Sequence, residues 1–354
     1  MRPKQLDRKL HIFLVFSIIV ILFSSLFNLI EAQISNEKPI RLALLEWTPN
    51  LLAYIAEEKG YFEKNNVAVN LTLILNYVDA ISDYSNGDYD GMLLVYPDSL
   101  ILNSEGINTK VVYHLDTSTN GDVIVGNGNN LSEAKGKKIS VEGINTFSHL
   151  FMLKSLEKVG LDEGDVEFVI MPAKNISYAL KEGKIFAGHT YIPFISDLEK
   201  TGFKILSTGA DIPGVITNVL SFHSDIVEQR PQDIQNVIKS LIEAMEDYDK
   251  NKEQDIEIMS LKSGLSKELI IEGMDGAKIL DLNFNAQVSM NNESNEIESL
   301  YNSGNDIAKF YAERGMISDY PNIEDIVEPK FVNQLMMENF TKNEISAREI
   351  VFEN

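Results

Sequence analysis

The sequence predicts an α/β protein of two lobes, built as a clamshell around a cleft and joined by a double crossover hinge. Three observations predict it. Short apolar runs of strand length, beginning with Ile40-Arg41-Leu42-Ala43-Leu44-Leu45, alternate with segments of helical periodicity. Two polar, turn-rich breaks, Gly126-Asn127-Gly128-Asn129-Asn130 and Asp211-Ile212-Pro213-Gly214, bracket a second strand-and-helix unit. With 354 residues the chain can hold two domains of ordinary size. A chain that leaves one unit, builds another and returns places residues 33–126 and 212–332 in one lobe and 127–211 in the other. Such lobes close on a ligand by hinge motion.

The stretch after the first strand organises the rest. Glu46-Trp47-Thr48-Pro49-Asn50 leads into a helix ending Glu57-Glu58-Lys59-Gly60-Tyr61-Phe62. Pro49 stops the ladder, Asn50 suits the free amides of a helix start, and Gly60 ends the helix in the left-handed manner. Trp47 is the sole tryptophan and sits at a strand exit, where α/β sheets bind ligands. It either walls a ligand site or plugs a lobe edge.

Further along, Val67–Leu73 alternates as a strand, Asp79–Tyr84 reads as a short helix, and Asp90–Val95 is a buried strand whose exit presents Tyr96, Pro97 and Asp98. Asp98 can cap the next helix, face a ligand, or both. Lys110–Leu115 is a strand with Asp116-Thr117-Ser118 at its end. The second unit opens with the strand of Leu131–Val141, and its exit loop is Glu142-Gly143-Ile144-Asn145-Thr146-Phe147-Ser148-His149. Amides and hydroxyls at such a helix start can meet an acceptor on a ligand or only cap the helix. A strand near Lys184–Thr190 leads to Tyr191-Ile192-Pro193-Phe194. Pro231 opens an amphipathic helix in which Ile234, Val237, Ile238, Leu241, Ile242, Met245 and Tyr248 recur at helical spacing. Residues 333–354 read as a polar, partly helical tail.

Composition narrows the function. The net charge is −22; four of 31 basic and two of 53 acidic side chains fall in residues 1–32, so the remainder stands at −24. Nucleic acid and anionic membrane surfaces need basic patches, so neither is an expected partner. Arg2, Lys4, Arg8 and Lys9 precede an apolar run from Ile12 to Ile30, a basic n-region followed by a hydrophobic one. Residues 1–32 are a signal peptide cleaved near Ala32 or a retained N-terminal anchor, and that segment alone is expected to touch a membrane. Either fate puts Gln33 onward outside the cytoplasm. Cysteine is absent, which excludes disulfides and thiolate chemistry. His11, His114, His149, His189 and His223 show no metal spacing, and no Gly-x-Ser-x-Gly elbow occurs. No cofactor, metal or catalytic set is expected.

The Trp47-Thr48-Pro49-Asn50 turn, the Lys59-Gly60-Tyr61-Phe62 helix end, the Leu131–His149 segment and the Tyr191-Ile192-Pro193-Phe194 loop resemble, in order, the solute-binding proteins of ABC importers of the nitrate/sulfonate/taurine class. The resemblance covers about residues 39–332 and is nearest to the branch that binds pyrimidine precursors of thiamine. Gly188 and His189 depart from the pattern, which has small apolar residues there. It implies a type II periplasmic-binding-protein-like fold, no catalysis, a monomer and delivery of a solute to permease subunits. A pyrimidine-precursor synthase shares the likeness but needs a cysteine-rich iron motif. Candidate ligand-binding residues are Glu46, Trp47, Asn50, Tyr96, Asp98, Asp116, Asn145, Thr146, Ser148, His149 and Tyr191. None of the six arginines lies on a strand exit, whereas sulfonate or nitrate capture favours a guanidinium fork. Carboxylates beside aromatic faces suit a flat nitrogenous solute such as a pyrimidine.

Overall fold

The structure, a computed structural model, describes residues 38–195 and 202–339. The chain divides into Met1–Pro39 and a compact unit, Ile40–Asn354. The basic and apolar N-terminal run, and the tail beyond residue 339, lie outside the described residues.

Two sheets form the unit. The first contains β1 (Ile40–Leu45), β2 (Val69–Ile74), β3 (Gly91–Val95) and β4 (Thr109–Ser118). The second contains β5 (Asp122–Gly126), β6 (Lys138–Val141), β7 (Glu167–Ile170), β8 (Ala187–Tyr191) and β9 (Lys204–Thr208). The chain then returns to the first sheet with β10 (Thr217–His223) and β11 (Ala277–Ile279). Strand order is β11-β4-β10-β3-β1-β2 in the first sheet and β7-β6-β8-β5-β9 in the second. The parallel pairs β1–β2, β1–β3, β6–β7 and β6–β8 are joined by helical crossovers, as the alternation of apolar runs and helical segments predicts.

β5 corrects one boundary. The sequence reading keeps Asp122–Gly126 in the first lobe and crosses at the glycine-rich run that follows. Instead, β5 pairs antiparallel with β8, from Asp122 opposite Tyr191 to Gly126 opposite Ala187, so it belongs to the second sheet. The glycine-rich run is a local turn whose Asn129 and Asn130 amides donate to the Glu133 carboxylate at 2.8 and 3.2 Å. The chain changes sheets earlier, at Thr119-Asn120-Gly121, where three successive amides donate to the Gly276 carbonyl at 2.9, 3.1 and 2.9 Å. Turn composition marks a bend, but crossing is decided by which strand finds which edge. The return passes through a short turn at Gly209–Asp211 before β10.

The helix Leu52–Glu58 buries Leu52, Ala53, Tyr54, Ile55 and Ala56 and packs on the helix Pro231–Lys250. Lys59 is clamped between Asp247 and the fully buried Asp255. Gly60 follows at φ 72°, in the left-handed region expected of it. The first lobe runs past residue 332: a helix over 330–339 buries Phe331, Val332 and Leu335, so the start of the predicted tail is packed.

The helix Lys267–Asp275 lies against the turn Thr48–Leu51 so closely that a Cβ on Gly273 would stand 1.9 Å from Thr48 Oγ1. Gly273→Ala is therefore expected to cost about 1–3 kcal/mol by overpacking. Urea unfolding with an unchanged midpoint would show that the turn gives way freely.

Candidate functional site: a cleft between two sheets

The cleft is built at the ends of β1, β3 and β10 on one side and of β5 and β8 on the other. Leu45, Trp47, Tyr77, Val95, Ile216 and Asn218 of the first lobe and Asp122, Phe147 and Tyr191 of the second line a pocket whose free space is little more than one water molecule. Trp47 leaves β1 and lies across the junction. Its ring is 6.4 Å from that of Tyr191 at 71°, and its Nε1–H donates to Asp116 Oδ1 at 3.0 Å. Gly121 makes the seat: a Cβ there would come within 2.4 Å of the indole. Trp47 is 5% exposed and lines the pocket between the lobes.

The opposite corner is Tyr77 against Phe147, with ring centroids 4.9 Å apart at 63°. Tyr77 is held by the Asp98 carboxylate, which accepts a hydrogen bond from its hydroxyl. Asn218 donates through Nδ2 to Asp116 Oδ1 at 2.9 Å, so one carboxylate oxygen holds both Trp47 and Asn218. Asp116 Oδ2 is buried and hydrogen-bonds to nothing among the described residues. Behind the second wall, His189 is fully buried with Nε2 2.9 Å from Asp122 Oδ1. Its Nδ1 faces Glu142 Oε2 at 3.9 Å, beyond hydrogen-bond reach.

Carboxylates dominate the electrostatics. Burial pushes Asp116 up to about 7; the hydrogen bonds from Asn218 and Trp47 pull it down and Asp122 adds to the rise. Burial also holds Asp98 well above the usual range, against the Phe147 amide. Glu142 is raised by burial, with His189 and the Ala173 amide opposing, and Glu46 by burial, with Lys174 opposing. Lys174 is exposed beside Glu46. The described arginines are engaged elsewhere: Arg41 with Asp90, Arg230 with Asp233 and Arg314 with Glu157. Among the described residues no group of His, Cys, Asp or Glu could hold a metal ion.

Of the predicted site residues, Trp47 and Tyr191 line the pocket, and Asp116 and Asp98 stand directly behind its rings. Glu46 is half-buried beside Lys174. Asn50 is fully buried and spends its Nδ2 on the Leu45 carbonyl at 3.4 Å. Tyr96 turns away from the pocket and donates to the Leu300 carbonyl at 2.9 Å. The loop residues serve the loop. Asn145 takes φ 59° and gives its amide to His149 Nδ1, Thr146 Oγ1 donates to the Gly143 carbonyl at 2.8 Å, and Ser148 Oγ accepts the Glu142 amide at 2.9 Å. His149 packs edge-on to Phe168, and burial pushes it down to about 4.

Sequence reasoning misses the other seven lining residues: the aromatic and polar Tyr77, Phe147, Asp122 and Asn218 and the apolar Leu45, Val95 and Ile216. Phe147 lies inside the exit loop of the second unit, and His189 shows in the sequence only as a departure from a pattern. Nothing local marks Tyr77, which reaches the cleft from the start of the helix Tyr77–Ser85. A larger hollow on the first lobe, lined by Tyr113, Met245, Tyr248 and Phe284, takes no residue from the second and extends to Asn339 at the end of the described chain. The cleft is thus the better candidate.

A two-sheet, double-crossover α/β architecture with its pocket between the lobes is the fold of periplasmic binding proteins, and solved structures share it. The chain belongs to the NMT1-like family, whose model matches residues 33–261. No curated protein sequence matches it. Among solved structures it is similar to the ligand-binding component of an ABC-type import system from Staphylococcus aureus with zinc bound, at 18% identity and a TM-score of 0.68 over 84% of this chain and 98% of that one. The alkanesulfonate-binding protein SsuA from Xanthomonas axonopodis pv. citri, bound to MOPS, gives 14% identity and a TM-score of 0.69 over 83% and 99%. The periplasmic nitrate-binding protein NrtA from Synechocystis PCC 6803 gives 14% and 0.66 over 84% and 88%.

Proposed function

We propose that the protein is an extracytoplasmic solute-binding component of an ABC importer, which captures a small nitrogenous, pyrimidine-like solute between its lobes and delivers it unchanged to permease subunits. The observation that carries this reading is the pocket itself. Trp47 and Tyr77 from one lobe meet Tyr191 and Phe147 from the other, with buried carboxylates behind them and no arginine in the walls. Aromatic faces hold a flat ring by stacking, and carboxylates accept from its amino group and ring N–H. The space between the walls is narrow, so a solute must enter with the lobes parted and be gripped as they close. The family match and the import proteins among the similar structures support the transport role.

Sulfonate or nitrate capture is the second reading, favoured by the alkanesulfonate-binding and nitrate-binding proteins among the similar structures. The chemistry of these walls favours it less, because an anion would meet Asp122 in the wall, with Asp116 and Asp98 behind the rings and no guanidinium among the lining residues. Chemistry on the solute is not part of the proposal; the polar groups in the cleft hold the rings and the loop. Calorimetry and thermal shift on the purified protein test the assignment. Aminopyrimidines near 100 times Kd are expected to add about 2.7 kcal/mol of stability and to be recovered unaltered. Tight taurine or nitrate binding with none to aminopyrimidines would replace this solute class, and turnover of the solute over time would end the non-catalytic reading.

A further inference from the structure

We infer that the pocket between Trp47, Tyr77, Phe147 and Tyr191 is a cage for a positively charged ammonium group on the solute. This rests on the solute-binding reading above and narrows it from nitrogenous to cationic. Three features of the cage combine. Neither ring pair is stacked face to face: Trp47 and Tyr191 meet at 71°, Tyr77 and Phe147 at 63°. In each pair the ring that offers its edge keeps both faces clear of that partner, and ring faces attract cations. Two of the four rings also give their polar hydrogen to a buried carboxylate: Trp47 Nε1–H to Asp116 and Tyr77 Oη–H to Asp98. Donation to a carboxyl oxygen pushes electron density back into the ring and deepens its negative face, the more so when that carboxyl is ionised. Finally, Asp122 is itself a wall of the pocket.

The competing charges are few. His189 stands 2.9 Å from Asp122 and packs against Phe147 and Tyr191, at ring-centroid distances of 5.3 and 6.0 Å, and Lys174 is exposed beside Glu46. Neither is a wall of the pocket. Asp116, which holds Trp47 from behind, keeps one oxygen, Oδ2, with no hydrogen-bond partner among the described residues. The walls as described leave little more than one water's space, so the head group must enter with the lobes parted and be gripped as they close.

The test compares two solutes of one shape on the full chain. Choline carries a quaternary ammonium, and 3,3-dimethyl-1-butanol replaces its nitrogen with carbon. Calorimetry is expected to find choline bound at least about ten-fold more tightly, on the scale of a desolvated cation–π contact. Tyr77→Phe and Asp116→Asn keep the rings but remove the donation to a carboxylate behind one of them, and each is expected to shrink that ratio. Equal affinity for the two solutes overturns the cage and leaves the importer reading standing. Failure of both choline and tetramethylammonium to bind overturns it as well. If aminopyrimidines then also fail while taurine or nitrate binds, the solute class proposed above falls with it.

Discussion

Trp47→Ala is expected to weaken solute binding by about 2 kcal/mol or more, roughly 30-fold, the scale of a buried aromatic anchor. The indole is a wall of the pocket, touches Tyr191 across the lobes and fills the space above Gly121. Its removal also takes one of two donors from Asp116 Oδ1. The same substitution opens a cavity at the crossover, for which Trp→Ala changes cost about 3–5 kcal/mol of stability. The two effects separate on Trp47→Phe, which keeps a ring but loses the Nε1–H. Calorimetry should place its affinity between wild type and alanine. An alanine variant that stays folded and binds as wild type would remove Trp47 from the site.

The second large effect is in pH dependence. Asp116 ionises near its ordinary value of 3.8 in the unfolded chain and at about 7 in the fold. The folded state therefore holds this proton more tightly, so the group's contribution is most favourable at low pH. It is lost as pH rises from about 4 through 7, and is constant above. Asparagine has no charge to bury. The stability of Asp116→Asn relative to wild type should thus climb across that window by up to about 4 kcal/mol, an upper bound at roughly 1.4 kcal/mol for each tenfold difference in proton affinity between the folded and unfolded chain. The absolute profile mixes signs, because burial pushes His114 down to about 3 and His149 to about 4. Those groups lose stability as pH falls below about 6.5, and the difference between variant and wild type cancels them. Urea unfolding at pH 4.5, 6 and 8 measures it; a difference flat in pH would mean that Asp116 ionises in the fold as readily as in the unfolded chain.

Legibility in the sequence follows the range of the interaction concerned. β1, its tryptophan exit and the helix ending at Gly60 are local: an apolar run, a proline and a left-handed glycine act within a few residues. The amphipathic helix Pro231–Lys250 is equally local, since its buried positions repeat with the helical period. Asp116 reads as a strand end, but β4 continues to Ser118 because β10 pairs with it as far as Thr117. Ser148, Thr146 and His149 carry the chemistry of a ligand loop. The fold uses those hydroxyls and that ring to brace the loop itself, and residue type alone does not tell the two uses apart.

The amino-acid sequence determined which segments are strands and helices, that they fall into two units, and that the sole indole leaves the first strand, because each follows from periodicity and backbone preference along a short stretch. Only the tertiary structure decided that β5 joins the second sheet and that Tyr77, Phe147 and Asp122 meet Trp47 at the cleft. Those outcomes depend on pairing and packing between residues far apart in the chain, whose partners no local pattern names.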